Sequence, residues 1–135
     1  RYNEEMVVSH NKNEIRSTPV PAAANIRILA QGCDVVGIDE AQFFDPEIAD
    51  ICDVLAFKGV RVILAGLDMD FSGKPFGAMP HILAKADYVT KLHAICQQCG
   101  SMANYSYRKV ANEEQVMLGA TDSYEPRCRK CYQQS

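Results

Sequence analysis

Two Cys-x-x-Cys pairs, Cys96 with Cys99 and Cys128 with Cys131, constrain this chain more than any other feature. The spacing lets a tight turn aim both sulfurs at one point, and two such pairs supply four donors in a tetrahedral set. Zn²⁺ accepts that set as a closed structural site, with no position open for chemistry. Gly100, straight after the first pair, suits the turn, and Arg127, Arg129 and Lys130 surround the second pair, where they would offset the charge of four thiolates. The stretch from Gly100 to Arg127 is longer than in the commonest zinc ribbons and predicts an inserted loop. Two disulfides or a redox-active pair are the competing chemistries. The chain has six Cys, and Cys33 and Cys52 stand alone in apolar segments. That asymmetry favours a reducing, cytoplasmic setting with one metal site and two buried thiols.

Up to about Lys91 the texture is different. Pro21 to Ala30 carries Ala22, Ile26, Leu29 and Ala30 at helical spacing and ends at Gln31-Gly32. Val35-Val36-Gly37-Ile38 is a short unbroken apolar run, as in a strand covered on both faces of a parallel sheet. Asp45-Pro46-Glu47 predicts a helix start with Asp45 as N-cap, and Ile48, Ile51, Cys52 and Leu55 follow as one stripe. Val60 to Leu67 predicts a second buried strand, and Ala78 to Ala86 a third helix with Pro80 in its first turn. Alternating strands and helices of this kind build a parallel α/β sheet. With 47% apolar residues in 135, the chain can bury one core of that type, while a second module needs another source of stability such as the metal. The expected division is an α/β body over 1–92 and a zinc ribbon over 93–135. Within the second part, Val89 to Ile95 predicts a strand leading into the first Cys pair. Ala103 to Val110 and Gln115 to Gly119 predict a hairpin around Asn112-Glu113-Glu114.

Charge and hydropathy exclude some roles. A formal net charge of −3 argues against a broad nucleic-acid-binding face. No apolar run approaches the length of a membrane span, and no signal peptide is visible. The chain opens on Arg1-Tyr2-Asn3 without an initiator Met, which is the expectation for a segment of a longer protein.

The apolar strand Val35 to Ile38 ends in Asp39 and Glu40. Ligands of open parallel sheets bind beyond the C-terminal strand ends, so these acids arrive where chemistry is done. Side chains of a strand alternate in direction, so the two acids should divide two tasks. For phosphoryl transfer the division is Asp39 toward Mg²⁺ and its water shell and Glu40 toward the attacking hydroxyl. A strand simply leaving into solvent with two acids is the bland alternative. Gln42-Phe43-Phe44 argues against it, since aromatics beside acids suit a flat ligand. A phosphate loop, Gly-x-x-x-x-Gly-Lys-Ser/Thr, is not found. Ser72-Gly73-Lys74 imitates its end, but Pro75 stands where the hydroxyl residue belongs, so an ATP-binding loop is expected before Arg1 and this segment alone is expected to lack productive ATP binding.

Taken in series, the motifs resemble those of the zinc-containing thymidine kinases. They are Ile38-Asp39-Glu40-Ala41-Gln42-Phe43-Phe44, Leu67-Asp68 with Phe71, Lys74-Pro75-Phe76-Gly77, and the two Cys pairs ending in Cys131-Tyr132. The resemblance runs from Arg1 to Tyr132. It implies a P-loop-kinase-type parallel sheet with helices, a small C-terminal zinc ribbon, and transfer of the γ-phosphate of ATP to the 5′-hydroxyl of deoxythymidine. By the resemblance, Glu40 matches the general base and Asp39 the acid near Mg²⁺. Phe43, Leu67, Phe71 and Phe76 match positions lining the thymine pocket. Gln115, Val116, Met117, Leu118 and Gly119 match a loop whose backbone reads the base edge, Tyr124 matches a tyrosine beside the nucleoside, and Arg1 matches an arginine near the phosphates. A homotetramer and feedback inhibition by thymidine triphosphate are likewise implied.

Other readings remain on the residues themselves. Asp39-Glu40-Ala41-Gln42 also imitates the strand-end acids of helicase-like ATPases, which would require a longer chain with basic tracts. A non-catalytic zinc-ribbon binding module would leave the acids and aromatics without a purpose. Phe44, Phe57 and Phe71 could be plain core. Tyr105 and Tyr107 are expected to pack along the hairpin, and His10, His81 and His93 lack metal spacing.

Overall fold

The computed structural model describes residues 6–8, 14–109 and 123–135. The order is β1 (Met6–Val8), β2 (Glu14–Arg16), α1 (Ala24–Leu29), β3 (Val35–Ile38), a 3-10 turn (Ala41–Phe43), α2 (Glu47–Phe57), β4 (Arg61–Leu64) and α3 (Met79–Lys85). Short strands follow, β5 (Ala94–Ile95), β6 (Met102–Ala103), β7 (Tyr105–Arg108) and β8 (Tyr124–Arg127), then α4 (Arg129–Gln133). The molecule is thus a mixed α/β body followed by a Cys-bearing module of short strands. β1 and β2 pair antiparallel.

β3 and β4 pair in parallel, Val35 opposite Arg61 and Ile38 opposite Leu64, with α2 as the crossover between them. The stripe expected on α2 is present: Ile48, Ile51, Cys52 and Leu55 are all buried. Each such side chain removed from water contributes roughly 1.5–3 kcal/mol before entropy is counted. They pack with Ile26 of α1, Met79 and Ile82 of α3, and the inward residues Val36, Ile38, Val62 and Leu64 of the two strands.

The sequence expectation of strands covered on both faces is corrected by the same pairs. Val35 and Ile63 are about half exposed, at 56% and 52%. Alternation sends every second residue to the face opposite the helices, and among the described residues the parallel sheet has two strands with their core on one side. Phe57, a candidate for core, is 86% exposed at the end of α2, because it falls off the stripe set by Ile48, Ile51 and Leu55. Cys33 is exposed rather than buried, in the turn after α1. Phe44 does pack against the core.

Asp45 does not cap α2. Its Oδ1 accepts from the Ala23 N–H at 3.0 Å, so the carboxylate serves the start of α1 and ties the two helix entrances together. Pro46 already has helical dihedrals, φ −58° and ψ −22°, as its ring favours. In α3, Pro80 does sit in the first turn.

The strand expected over Val89 to Ile95 shrinks to Ala94–Ile95. Leu92 is exposed, and Lys91 turns instead to Asp68, Nζ to Oδ2 3.1 Å. Of the expected hairpin, Gln115 to Gly119 and the turn at 112–114 lie outside the described residues. The described part of its first strand, β7, pairs antiparallel with β8, Tyr105 opposite Arg127 and Arg108 opposite Tyr124. Pro126 hides β8 in the sequence. It is tolerated because a proline on the outer edge of a two-stranded ladder forfeits no needed N–H.

Candidate active site and metal centre

The parallel ladder runs on past β3 and β4. The Ala65 N–H donates to the Ile38 carbonyl at 2.9 Å, and the Ala41 N–H to the Ala65 carbonyl at 3.0 Å. Between those two bonds sit Asp39 and Glu40. Glu40 has φ 53° and ψ 43°, among the described residues the one non-glycine with positive φ. A Cβ in that region costs about 1–2 kcal/mol, and such strain gathers at functional positions. Strand alternation therefore does not govern the two acids, since Glu40 has left extended geometry. The reversal also brings the Glu40 N–H onto Asp39 Oδ1 at 2.9 Å. Asp39 is exposed and Glu40 half-buried.

The 3-10 turn contributes a residue that sequence reasoning passed over. Gln42 is 3% exposed. Its Nε2 donates to Glu40 Oε2 at 3.0 Å, and its Oε1 accepts from the Leu67 N–H at 3.1 Å. Polar periodicity carries no signal for a buried amide in a three-residue turn, which explains the omission.

Phe43 and Phe76 meet edge to face, ring centres 5.5 Å apart, Phe76 buried and Phe43 half exposed. Leu67 is exposed just beyond the end of β4. The segment from Asp68 to Phe76 folds back on itself: the Phe76 N–H donates to the Asp68 carbonyl, and Met69 bridges Pro75. Asp70 closes the turn, Oδ1 accepting from the Ser72 N–H at 2.9 Å, Ser72 Oγ at 2.6 Å and the Lys74 N–H at 3.1 Å. Ser72-Gly73-Lys74 is accordingly an Asx-type turn centred on a buried aspartate, with no helix behind it.

Phe71 and Tyr124 come together through Arg108, which the sequence did not single out. The guanidinium lies 3.6 Å over the Phe71 ring and 5.3 Å from the Tyr124 ring centre, and Nη2 donates to Tyr124 Oη at 2.9 Å. A cation over an aromatic face is attractive by about 0.5–2 kcal/mol, more when desolvated, and Arg108 is buried. Arg1 and the residues Gln115, Val116, Met117, Leu118 and Gly119 lie outside the described residues.

The four cysteines of the two pairs converge. Their sulfurs all lie within 4.8 Å of one another, and Cys99 Sγ is 3.6 Å from Cys128 Sγ. Four sulfurs at about 2.3 Å from one Zn²⁺ would stand about 3.8 Å apart, so the donor set fits that ion. Local bonds build each knuckle. Gly100, at φ 79°, lets its N–H reach the Cys96 carbonyl, and the Cys131 N–H points to Cys128 Sγ. The Gln97 N–H donates to the Pro126 carbonyl, joining one knuckle to the strand that leads into the other. The thiols perturb one another strongly. Burial would raise the Cys96 thiol, but backbone N–H groups, that of Cys128 foremost, bring it down to about 6. Cys131 is pushed up to about 12 by its side-chain contact with Cys128 and by burial. So many thiols cannot all ionise together without a cation among them.

Arg127 does not serve the thiolates as expected. Its Nε donates to Glu125 Oε2 at 2.9 Å, another nitrogen to Ser135 Oγ, and its guanidinium lies 3.6 Å over Tyr107. The four-cysteine module instead reaches the α/β body through the residue after Cys131. Tyr132 Oη donates to the Phe71 carbonyl at 2.5 Å, and its ring stacks on Tyr105 at 4.5 Å. Burial, with the charge of Asp70 second, pushes the Tyr132 phenol up, so it stays a donor.

Comparison with known proteins points one way. The family model described as thymidine kinase matches residues 1–132. A thymidine kinase of Bacteroides fragilis strain YCH46 is 57% identical over 135 residues, covering 100% of this chain and 68% of the relative. Thymidine kinases of Bacteroides thetaiotaomicron and Rhodothermus sp. are each 57% identical over 98% of the chain, which spans 66% and 62% of their lengths.

Proposed function

The chain belongs to the thymidine kinase family, and from that membership we infer that the protein is a phosphotransferase that moves the γ-phosphate of ATP onto the 5′-hydroxyl of deoxythymidine. We propose Glu40 as the general base and Asp39 as the acid that holds Mg²⁺ through water. The single observation carrying this reading is the Glu40 carboxylate, held in a strained left-handed backbone at the C-terminal end of β3 and gripped by Gln42.

The chemistry follows from the weakness of a primary hydroxyl as an acid. It does not ionise near pH 7, so its proton must pass to Glu40 as the oxygen bonds to the γ-phosphorus. The bond from that phosphorus to the bridging oxygen breaks, and ADP leaves with the electron pair. Mg²⁺ with ATP supplies neutralisation of the charge spreading over the phosphoryl oxygens. Phe43, Leu67, Phe71 and Phe76 would line the thymine pocket, with Tyr124 beside the nucleoside. The contact of Phe43 with Phe76 and the Arg108 link between Phe71 and Tyr124 support that grouping. Residues 115–119 would read the base edge, and Arg1 would sit near the phosphates.

Zinc held by Cys96, Cys99, Cys128 and Cys131 would be structural, closed to substrate and confined to fixing the module around it. We extend the proposal to a P-loop-type parallel sheet, for which the β3–β4 pair and its α2 crossover are the support, and to a body over 1–92 with a ribbon over 93–135. Among the described residues no helix is long and apolar enough to cross a membrane. A cytoplasmic homotetramer, inhibited by thymidine triphosphate, completes the proposal on the resemblance alone.

The test is a kinase assay of the full-length protein across deoxynucleosides, with Glu40→Gln beside the wild type. Thymidine should be preferred, and Glu40→Gln should lose roughly 10²- to 10⁴-fold in kcat. Equal rates on deoxycytidine and thymidine, or undiminished turnover in Glu40→Gln, would sink the assignment.

A further inference from the structure

We propose that Gln42 is a positioning residue that fixes the Glu40 carboxylate relative to the Leu67 side of the nucleoside pocket. The inference rests on Glu40 being the base. A glutamate side chain has three rotatable bonds, and a base must stay within hydrogen-bond reach of the hydroxyl it serves. Something has to hold it there, and Glu40 is only half-buried, on the left-handed step between β3 and the 3-10 turn.

The amide of Gln42 is chemically matched to the gap it spans. One end must donate to a carboxylate and the other must accept from a backbone N–H, and among side chains of this length only glutamine does both. The assignment of its two ends is forced: turned over, it would set oxygen against carboxylate and N–H against N–H. With Glu40 Oε2 occupied by Gln42 Nε2, Oε1 is left for the substrate hydroxyl. Because Gln42 Oε1 takes the Leu67 N–H, one amide ties the carboxylate to the residue beyond β4.

The surroundings are shaped to this amide. A Cβ on Gly66 would fall 2.9 Å from Gln42 Oε1, and a Cβ on Gly77 would fall 2.2 Å from the Gln42 backbone oxygen. Two glycines from different loops thus let backbone close around one side chain and its own carbonyl. The 3-10 turn is pinned as well, by the bonds from Ala41 N–H to Ala65 and from Phe43 N–H to Glu40. A glutamine serving only as filler would need neither the paired polar contacts nor the clearance that Gly66 leaves at its Oε1.

Two variants separate positioning from packing, measured in the full-length, zinc-loaded protein. Gln42→Glu keeps an acceptor for the Leu67 N–H and sets a second carboxyl against Glu40, so that the pair shares one proton and Glu40 is no longer a free base. Gln42→Met keeps the volume and removes both bonds. Each should lower kcat roughly 10- to 100-fold, as expected when a reacting group is misplaced by about 1 Å, with thymidine affinity by calorimetry changed far less. Added to Glu40→Gln, Gln42→Met should cost little further turnover, because the group it positions is already disabled. A folded Gln42→Glu with wild-type kcat, or a full additive loss in the double variant, would overturn the proposal. If Glu40→Gln alone turns over normally, the base assignment itself falls and takes this role with it, a result distinct from the first two. Should neither Gln42 variant fold, side-chain amide exchange in the wild type decides: protected Gln42 Nε2 protons support the clamp, and protons exchanging as in free glutamine overturn it.

Discussion

Cys33 and Cys52 began as equivalents in the sequence, each a lone thiol in an apolar stretch, and the structure separates them. Cys52 stands on the α2 stripe and is buried, while Cys33 stands in the turn after α1 and is exposed. Burial pushes the Cys52 thiol up from 9.0 to about 11. Above pH 9 the unfolded chain gives up this proton while the folded chain keeps it until about pH 11. The unfolded state then binds fewer protons, and stability falls as pH rises through that window. Denaturant unfolding from pH 8 to 11 should show the loss in the wild type and a flatter profile in Cys52→Val. Identical profiles would exclude the buried thiol as its source. At this scale the sequence was readable where residue type and spacing alone bring groups together: the four cysteines at paired spacing do converge, and the two acids do stand at the end of β3. Gln42 and Arg108 were not readable, because their importance lies in partners 25 and 16 positions distant, which no local pattern encodes.

The elements show the same divide between local and distant causes. Helices α1, α2 and α3 announce themselves by spacing, glycine and proline, and they form close to where those signals put them. The strands announce less. Whether an apolar run is covered on one face or two depends on its neighbours in the sheet, so Val35 and Ile63 could not be placed from their own segments. β8 was concealed by Pro126, whose cost vanishes at an edge. The folded-back segment 68–76 is the element with the widest consequence, since Phe71 sits at its tip with its carbonyl bonded to Tyr132 and its ring under Arg108. Tyr132→Phe removes the hydroxyl and keeps the stack on Tyr105. It should cost about 1 kcal/mol of stability and weaken thymidine binding more than it slows turnover. Thermal denaturation with a KM-against-kcat comparison checks both, and an unchanged KM would detach this contact from the proposed nucleoside pocket.

For the whole molecule, the four-cysteine module and the α/β body rest on different contacts. The body rests on the core shared by α1, α2, α3 and the parallel pair, whereas the module joins short two-stranded ladders around four sulfurs. Chelating zinc in reducing buffer should therefore abolish thymidine binding while the helical circular dichroism of the body persists, and metal analysis should give one zinc per chain beforehand. Loss of helical signal in step with the metal would show a single cooperative unit instead. Glu40 carries the opposite tension. Its left-handed backbone is one that glycine adopts freely and asparagine tolerates, so either replacement relieves strain while deleting the carboxylate. A library screened only for heat resistance should drift away from glutamate at this position, and one screened for growth on thymidine should hold it: the two pressures rank the same substitution in reverse order.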